Sequence, residues 1–100
     1  MRCPMKTFII LTTLTDEGRT MVQNNPDKIK LSPESVEHRG GEILYQYALL
    51  GPYDFITVLR VEDESAIFRI TSEMGAMGTV TTLTMPAITI DAFVNDIAGQ

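Results

Sequence analysis

Four side chains in this 100-residue sequence could together hold a small apolar, aromatic or anionic molecule: Tyr45, Tyr47, Tyr53 and Arg60. A guanidinium offers a planar fork of donors, and each phenol can both donate and accept, so the set could orient such a ligand. Tyr45 and Tyr47 lie two residues apart in a segment of strand-like composition, which puts them on one face. Arg60 joins them only if the pairing register allows. Otherwise it pairs with Glu42, Glu62 or a carboxylate of a second copy. Tyr53 belongs to Gly51-Pro52-Tyr53-Asp54, where Asp54 could act as an acid or base at a pocket rim. Turn chemistry explains the same residues without a substrate: Gly51 supplies a permissive angle, Pro52 fixes the next φ, and Asp54 accepts backbone N–H bonds.

The remaining reactive types are sparse. His38 is the sole histidine and stands in Glu37-His38-Arg39, a charged helix end where a cationic ring merely complements the helix dipole. The single cysteine, Cys3, precedes a proline in an expected flexible extension over residues 1–5, and reads as an inert exposed thiol. One His and one distant Cys assemble no metal cluster, so no metal is expected. Gly75-Ala76-Met77-Gly78 lacks the lysine of a phosphate loop. The sequence names no catalytic residue and no cofactor.

The elements that must position these side chains emerge from pattern. Residues 6–14 are β-branched and aromatic and end in a polar turn, Thr15-Asp16-Glu17-Gly18. Val22, Ile29 and Val36, spaced seven apart, mark a helical stretch over 19–39. Pro26 and Pro33 break it, each placed to open a helix behind Asn25 or Ser32, and Gly40-Gly41 ends it. Residues 42–50 and 54–62 read as a hairpin joined by Gly51-Pro52-Tyr53. Asp63-Glu64 open a helix with a buried stripe of Ile67, Ile70, Met74 and Met77, stopped at Gly75 or Gly78. A fourth strand over 79–85 and a short helix over 89–98, using Ile90, Phe93, Val94 and Ile97, complete the chain. The order β-α-β-β-α-β predicts an α+β, ferredoxin-like fold, one domain over 1–100 with a four-stranded antiparallel sheet and helices on one face.

The strands carry a further message. A sheet with one wet face alternates apolar and polar residues. Here Phe8-Ile9-Ile10-Leu11 and Ile43-Leu44-Tyr45 are apolar on both parities, and Phe55, Leu59 and Val61 alternate with Ile56 and Val58. The chain's own crossover helices cover one face only, leaving about 500 Å² or more of apolar surface, beyond what a monomer usually shows. A second copy of the same sheet is the simplest cover, giving a homodimer or higher oligomer closed as a dimeric α/β barrel. The alternative folds the terminal helix back over the open face.

Composition narrows the partners. Eight basic and 13 acidic residues give a net charge of −5, and the basic residues are scattered from Arg2 to Arg69. That distribution argues against nucleic acid, which needs a clustered basic face. The basic start and the adjoining Phe8-Ile9-Ile10-Leu11 mimic a short signal peptide, but the run stops at Thr12-Thr13 with no cleavage site, so a cytoplasmic protein is expected. No run approaches the roughly 20 apolar residues that span a bilayer.

Three pieces resemble a known family: Gly51-Pro52-Tyr53-Asp54 after a strand, Val61-Glu62-Asp63-Glu64 at a helix start, and Met74-Gly75-Ala76-Met77-Gly78 before Thr79-Val80-Thr81-Thr82-Leu83-Thr84. With Thr15-Asp16-Glu17-Gly18 and Gly40-Gly41-Glu42 they look like the GYD-domain family over residues 5–86. The resemblance implies small stand-alone proteins related in fold to the dimeric α/β-barrel group, with no settled activity, and makes Gly51, Tyr53 and Asp54 its structural motif. Here Thr81 and Leu83 stand where that family usually carries charges in the last strand, and Pro33 falls where it continues a helix. Two function classes are open. One is a homo-oligomeric binding or assembly module; the other is a cofactor-independent enzyme, oxygenase- or isomerase-like, of the kind dimeric barrels host. An enzyme needs a positioned acid or base in a cavity, and the sheet offers few mid-strand, which favours the binding module.

Overall fold

The structure, a computed structural model, describes residues 5–29 and 33–98. Four strands, β1 (Lys6–Leu14), β2 (Gly41–Ala48), β3 (Phe55–Val61) and β4 (Val80–Ala87), form one antiparallel sheet in the order β2-β3-β1-β4. Helices α1 (Asp16–Asn24), α2 (Pro33–His38) and α3 (Glu64–Ala76) make the crossovers, and α4 (Ile90–Ala98) comes after β4. This is the ferredoxin-like arrangement expected. The extension containing Cys3, and Ser32 as a cap for Pro33, lie outside the described residues.

Helix boundaries obey local chemistry. The Thr15-Asp16-Glu17-Gly18 segment, expected as a turn, is the start of α1. Thr15 caps it by accepting from the Gly18 N–H at 3.1 Å, and Asp16 and Glu17 sit in the first turn, where carboxylates are favoured. Pro26 opens a short 3-10 turn over Pro26–Ile29, and Pro33 opens α2; each proline lacks the N–H that would continue a preceding helix, while its fixed φ suits a first helical position. Gly40, at φ 86°, turns the chain into β2. Asp63 caps α3. That helix runs through Gly75 to Ala76, and Gly78, whose φ is 74°, turns the chain beyond it. Met77, expected on the buried stripe, is instead 63% exposed: it is the C-cap, one residue past the end of the helix.

The core lies between the sheet and its crossovers. Phe8 and Ile10 of β1 and Leu59 and Val61 of β3 meet Val36 of α2 and Ala66, Ile67 and Ile70 of α3, with Met74 packed against the edge. Ile10, Leu59 and Val61 are wholly buried. One parity of each central strand is thereby used up. The other parity, Ile9 and Leu11 on β1 with Ile56 and Val58 on β3, faces away from the helices.

Candidate functional site

The open face is built by register. Ile9 lies opposite Val58 and Met85, and Leu11 opposite Ile56 and Leu83, so three strands contribute one continuous apolar strip. Leu83 and Met85 are exposed there. Thr13 and Thr81 close the strip at one end, Thr7 and Ala87 at the other.

Strand β2 reaches this face through an irregularity. Gly41 and Ile43 pair with Val61 and Leu59 on the helix side. Simple alternation would send Tyr45 and Tyr47 to the same side. The register shifts between Ile43 and Tyr45, with Leu44 as the extra residue of a bulge, so Tyr45 lies opposite Val58 and Tyr47 opposite Ile56. Both tyrosines therefore stand on the open face, 57% exposed, with rings stacked at 6.1 Å and 12°. The apolar run Ile43-Leu44-Tyr45 is the only sequence signal for this shift.

Arg60 shares the face, opposite Thr7 and Glu42. Its Nε donates to Glu42 Oε1 at 2.8 Å and its Nη2 lies 2.7 Å from the same oxygen. The pair is about half exposed, so it adds little to stability, on the order of 1 kcal/mol at most. Its chemical effect is larger: the charge that could have met an anion is already answered. Of the four candidate ligand residues the sheet brings together Tyr45, Tyr47 and Arg60.

Tyr53 stands apart, in the loop at one end of the sheet. That loop is fixed by Asp54, whose backbone N–H donates to the Thr12 carbonyl and whose carbonyl accepts from the Leu49 N–H, both at 2.8 Å. Asp54 Oδ2 accepts from the Leu14 N–H at 2.8 Å, with Arg19 Nη2 3.7 Å away. Gly51, at φ 135°, takes a conformation that side chains avoid. At the same end Thr15 Oγ1 donates to the Gly78 carbonyl at 2.7 Å, and the Thr15 N–H donates to the Thr79 carbonyl at 3.0 Å. Gly18 packs so closely on Thr79 that a Cβ there would overlap its carbonyl oxygen. The Thr15–Gly18, Gly51–Asp54 and Gly75–Thr79 segments thus converge on one hydrogen-bonded junction, where Asp54 works as a staple.

Two surface grooves lie at the opposite end. One, of about 570 Å³, is lined by Phe8, Pro86, Ala87, Ile88 and Ala92; the other, of about 600 Å³, by Glu37, Gly41, Glu42, Ile43 and Glu62. Neither is lined by Tyr45, Tyr47, Tyr53 or Arg60. His38 is exposed at the last residue of α2. Among the described residues no three His, Cys, Asp or Glu side chains are grouped to hold a metal, and no helix is long and apolar enough to cross a membrane.

The sequence model of the GYD domain matches residues 8–96. The chain belongs to the GYD domain family. This GYD domain is 40% identical over 87 residues to a Thermus thermophilus protein named glutamine synthetase and cystathionine beta-lyase binding protein, covering 86% of this chain and 92% of that one. Its fold is similar to the crystal structure of MtbAldR, with a TM-score of 0.63 at 17% identity over 84% of this chain. The GYD domain spans 52% of that protein's length, and the likeness supports the fold alone.

Proposed function

We propose that this GYD domain is a cytoplasmic homodimeric binding module, two open sheet faces closing on each other as a dimeric α/β barrel, with a folded enzyme as its protein partner. The observation that carries this reading is the open face itself. It presents apolar and aromatic side chains from all four strands, and its one charged pair, Arg60–Glu42, is internally satisfied. Such a face suits burial against a matching surface. Where the faces meet, Tyr45, Tyr47 and Arg60 line the space a small apolar or aromatic ligand would take, while Tyr53 lies in the loop at the sheet's end. The partner class rests on the 40% identical relative, whose name puts that protein on two enzymes. We carry over the class of partner, with glutamine synthetase as the first candidate.

Two measurements test the two halves. Sedimentation velocity of the purified chain at micromolar concentration should give a dimer; a stable monomer overturns the barrel. Mixing the chain with purified glutamine synthetase, and separately with cystathionine beta-lyase, should give a co-sedimenting complex with at least one of them. Failure with both overturns the protein-partner assignment.

A further inference from the structure

The apolar surface does not stop at the edge of the sheet. After Met85 and Ala87 the chain continues through Ile88 and Thr89 into α4. Thr89 starts this helix firmly: its Oγ1 accepts from the Ala92 N–H and its carbonyl accepts from the Phe93 N–H, both at 3.0 Å. Ile90, Phe93, Val94 and Ile97 then fall at i, i+3, i+4 and i+7, one stripe of the helix. Their exposures run from 52% to 74%, and α4 buries no residue at all.

The helix does not fold back over the open face, since Leu83 and Met85 stay exposed. The molecule is correspondingly long and thin, 51 × 31 × 17 Å, with a radius of gyration of 15.0 Å where a compact chain of this length has about 13 Å. Helices shorter than about 12 residues hold poorly in water without tertiary cover. The nine residues of α4 need a surface to lie on, and their own fold does not supply it.

The area identifies that surface. With strands about 4.8 Å apart and a rise of about 3.3 Å per residue, four strands over seven paired positions make a face of roughly 450 Å². A stable interface buries about 800 Å² per partner. A footprint understates the accessible area of a side-chain-covered face, yet from about half the needed value the sheet supplies a large part of such an interface and not all of it. The stripe of α4 is contiguous with β4 and carries the missing area, a phenylalanine alone burying on the order of 150–250 Å² when fully covered. We infer that α4 is a clasp: each copy lays its Ile90–Ile97 stripe on the other copy, and the two arms complete an interface that the sheets only begin. This inference rests on the dimer proposed above.

Hydrogen exchange read as a function of protein concentration tests it, alongside sedimentation of Phe93→Ser and Ile97→Ser, singly and together. These side chains are exposed in the single chain, so at concentrations where neither protein dimerises the substitutions should leave circular dichroism and core melting unchanged. The double variant should dimerise at least 10-fold more weakly than the wild type. The α4 amides should be protected where the dimer forms and lose protection on dilution below its dissociation constant. A wild-type dimer whose affinity the double variant leaves unchanged overturns the clasp while the barrel stands. Protection of α4 that is independent of concentration, or that appears only when glutamine synthetase is added, also overturns it. A wild type that stays monomeric at micromolar concentration removes the barrel and the clasp together.

Discussion

The Asp54 carboxylate accepts the Leu14 N–H and sits beside Arg19, so its loss strands a part-buried donor at the end of β1. Asp54→Ala should lower stability by about 1–3 kcal/mol in a urea titration, with the secondary structure retained. Asp63 is a different carboxylate. The Ser65 backbone N–H, then its hydroxyl, hold its pKa below the ordinary 3.8, with Arg69 and Lys6 adding a little and slight desolvation opposing. A carboxyl depressed in the folded state contributes stability fully above its unfolded value, and that contribution is lost as pH falls through the folded one. The gap in urea midpoint between wild type and Asp63→Ala should therefore be steady from about pH 7 to 5 and close below about pH 4. Arg60 is the residue whose role the sequence leaves open between ligand and carboxylate. A register fixes it opposite Glu42, and register is a long-range property that no local window contains.

Among the elements, α1 shows how tightly the end junction is drawn. Alanine favours a helix over glycine by about 1 kcal/mol, yet at Gly18 the added methyl would overlap the Thr79 carbonyl oxygen. The overlap outweighs the propensity, and Gly18→Ala should destabilise by about 2–3 kcal/mol in thermal or urea unfolding. The strands and the two prolines are legible in the sequence because β-branched runs, Pro at a helix start and Gly beyond its end each have a local cause. The start of α1 is not, since Thr-Asp-Glu-Gly has a turn's composition and becomes a cap only when the residues beyond Gly18 are helical. Met77 misleads for a similar reason: a stripe at helical spacing continues on paper past Ala76, where the helix ends. Spacing alone sets Tyr45 and Tyr47 on one face, but which face depends on the bulge at Leu44.

At the scale of the whole molecule, the open face and the outward α4 are the two surfaces that the proposed dimer would bury. Ile56 and Val58 share the face that the helices leave bare, so either is a direct probe of assembly. Val58→Asp or Ile56→Asp would place a carboxylate in the middle of the proposed barrel, where an unpaired charge costs several kcal/mol. Each should shift the sedimentation profile from dimer to monomer. Leu59→Ala, one residue along but on the helix side, should instead lower the melting temperature by removing core volume, a loss of about 2–5 kcal/mol.

The bulge in β2 also says which lengths of this strand nature or an engineer can use. Helix-side positions are odd-numbered up to Ile43 and even-numbered from Gln46 onward, because Leu44 interrupts the count. A chain lacking Leu44 would keep Ile43 against Leu59 and Tyr45 against Val58 on an unbroken ladder, presenting the same two faces from a straighter strand. Gaps between related chains should therefore be tolerated at this one point of β2.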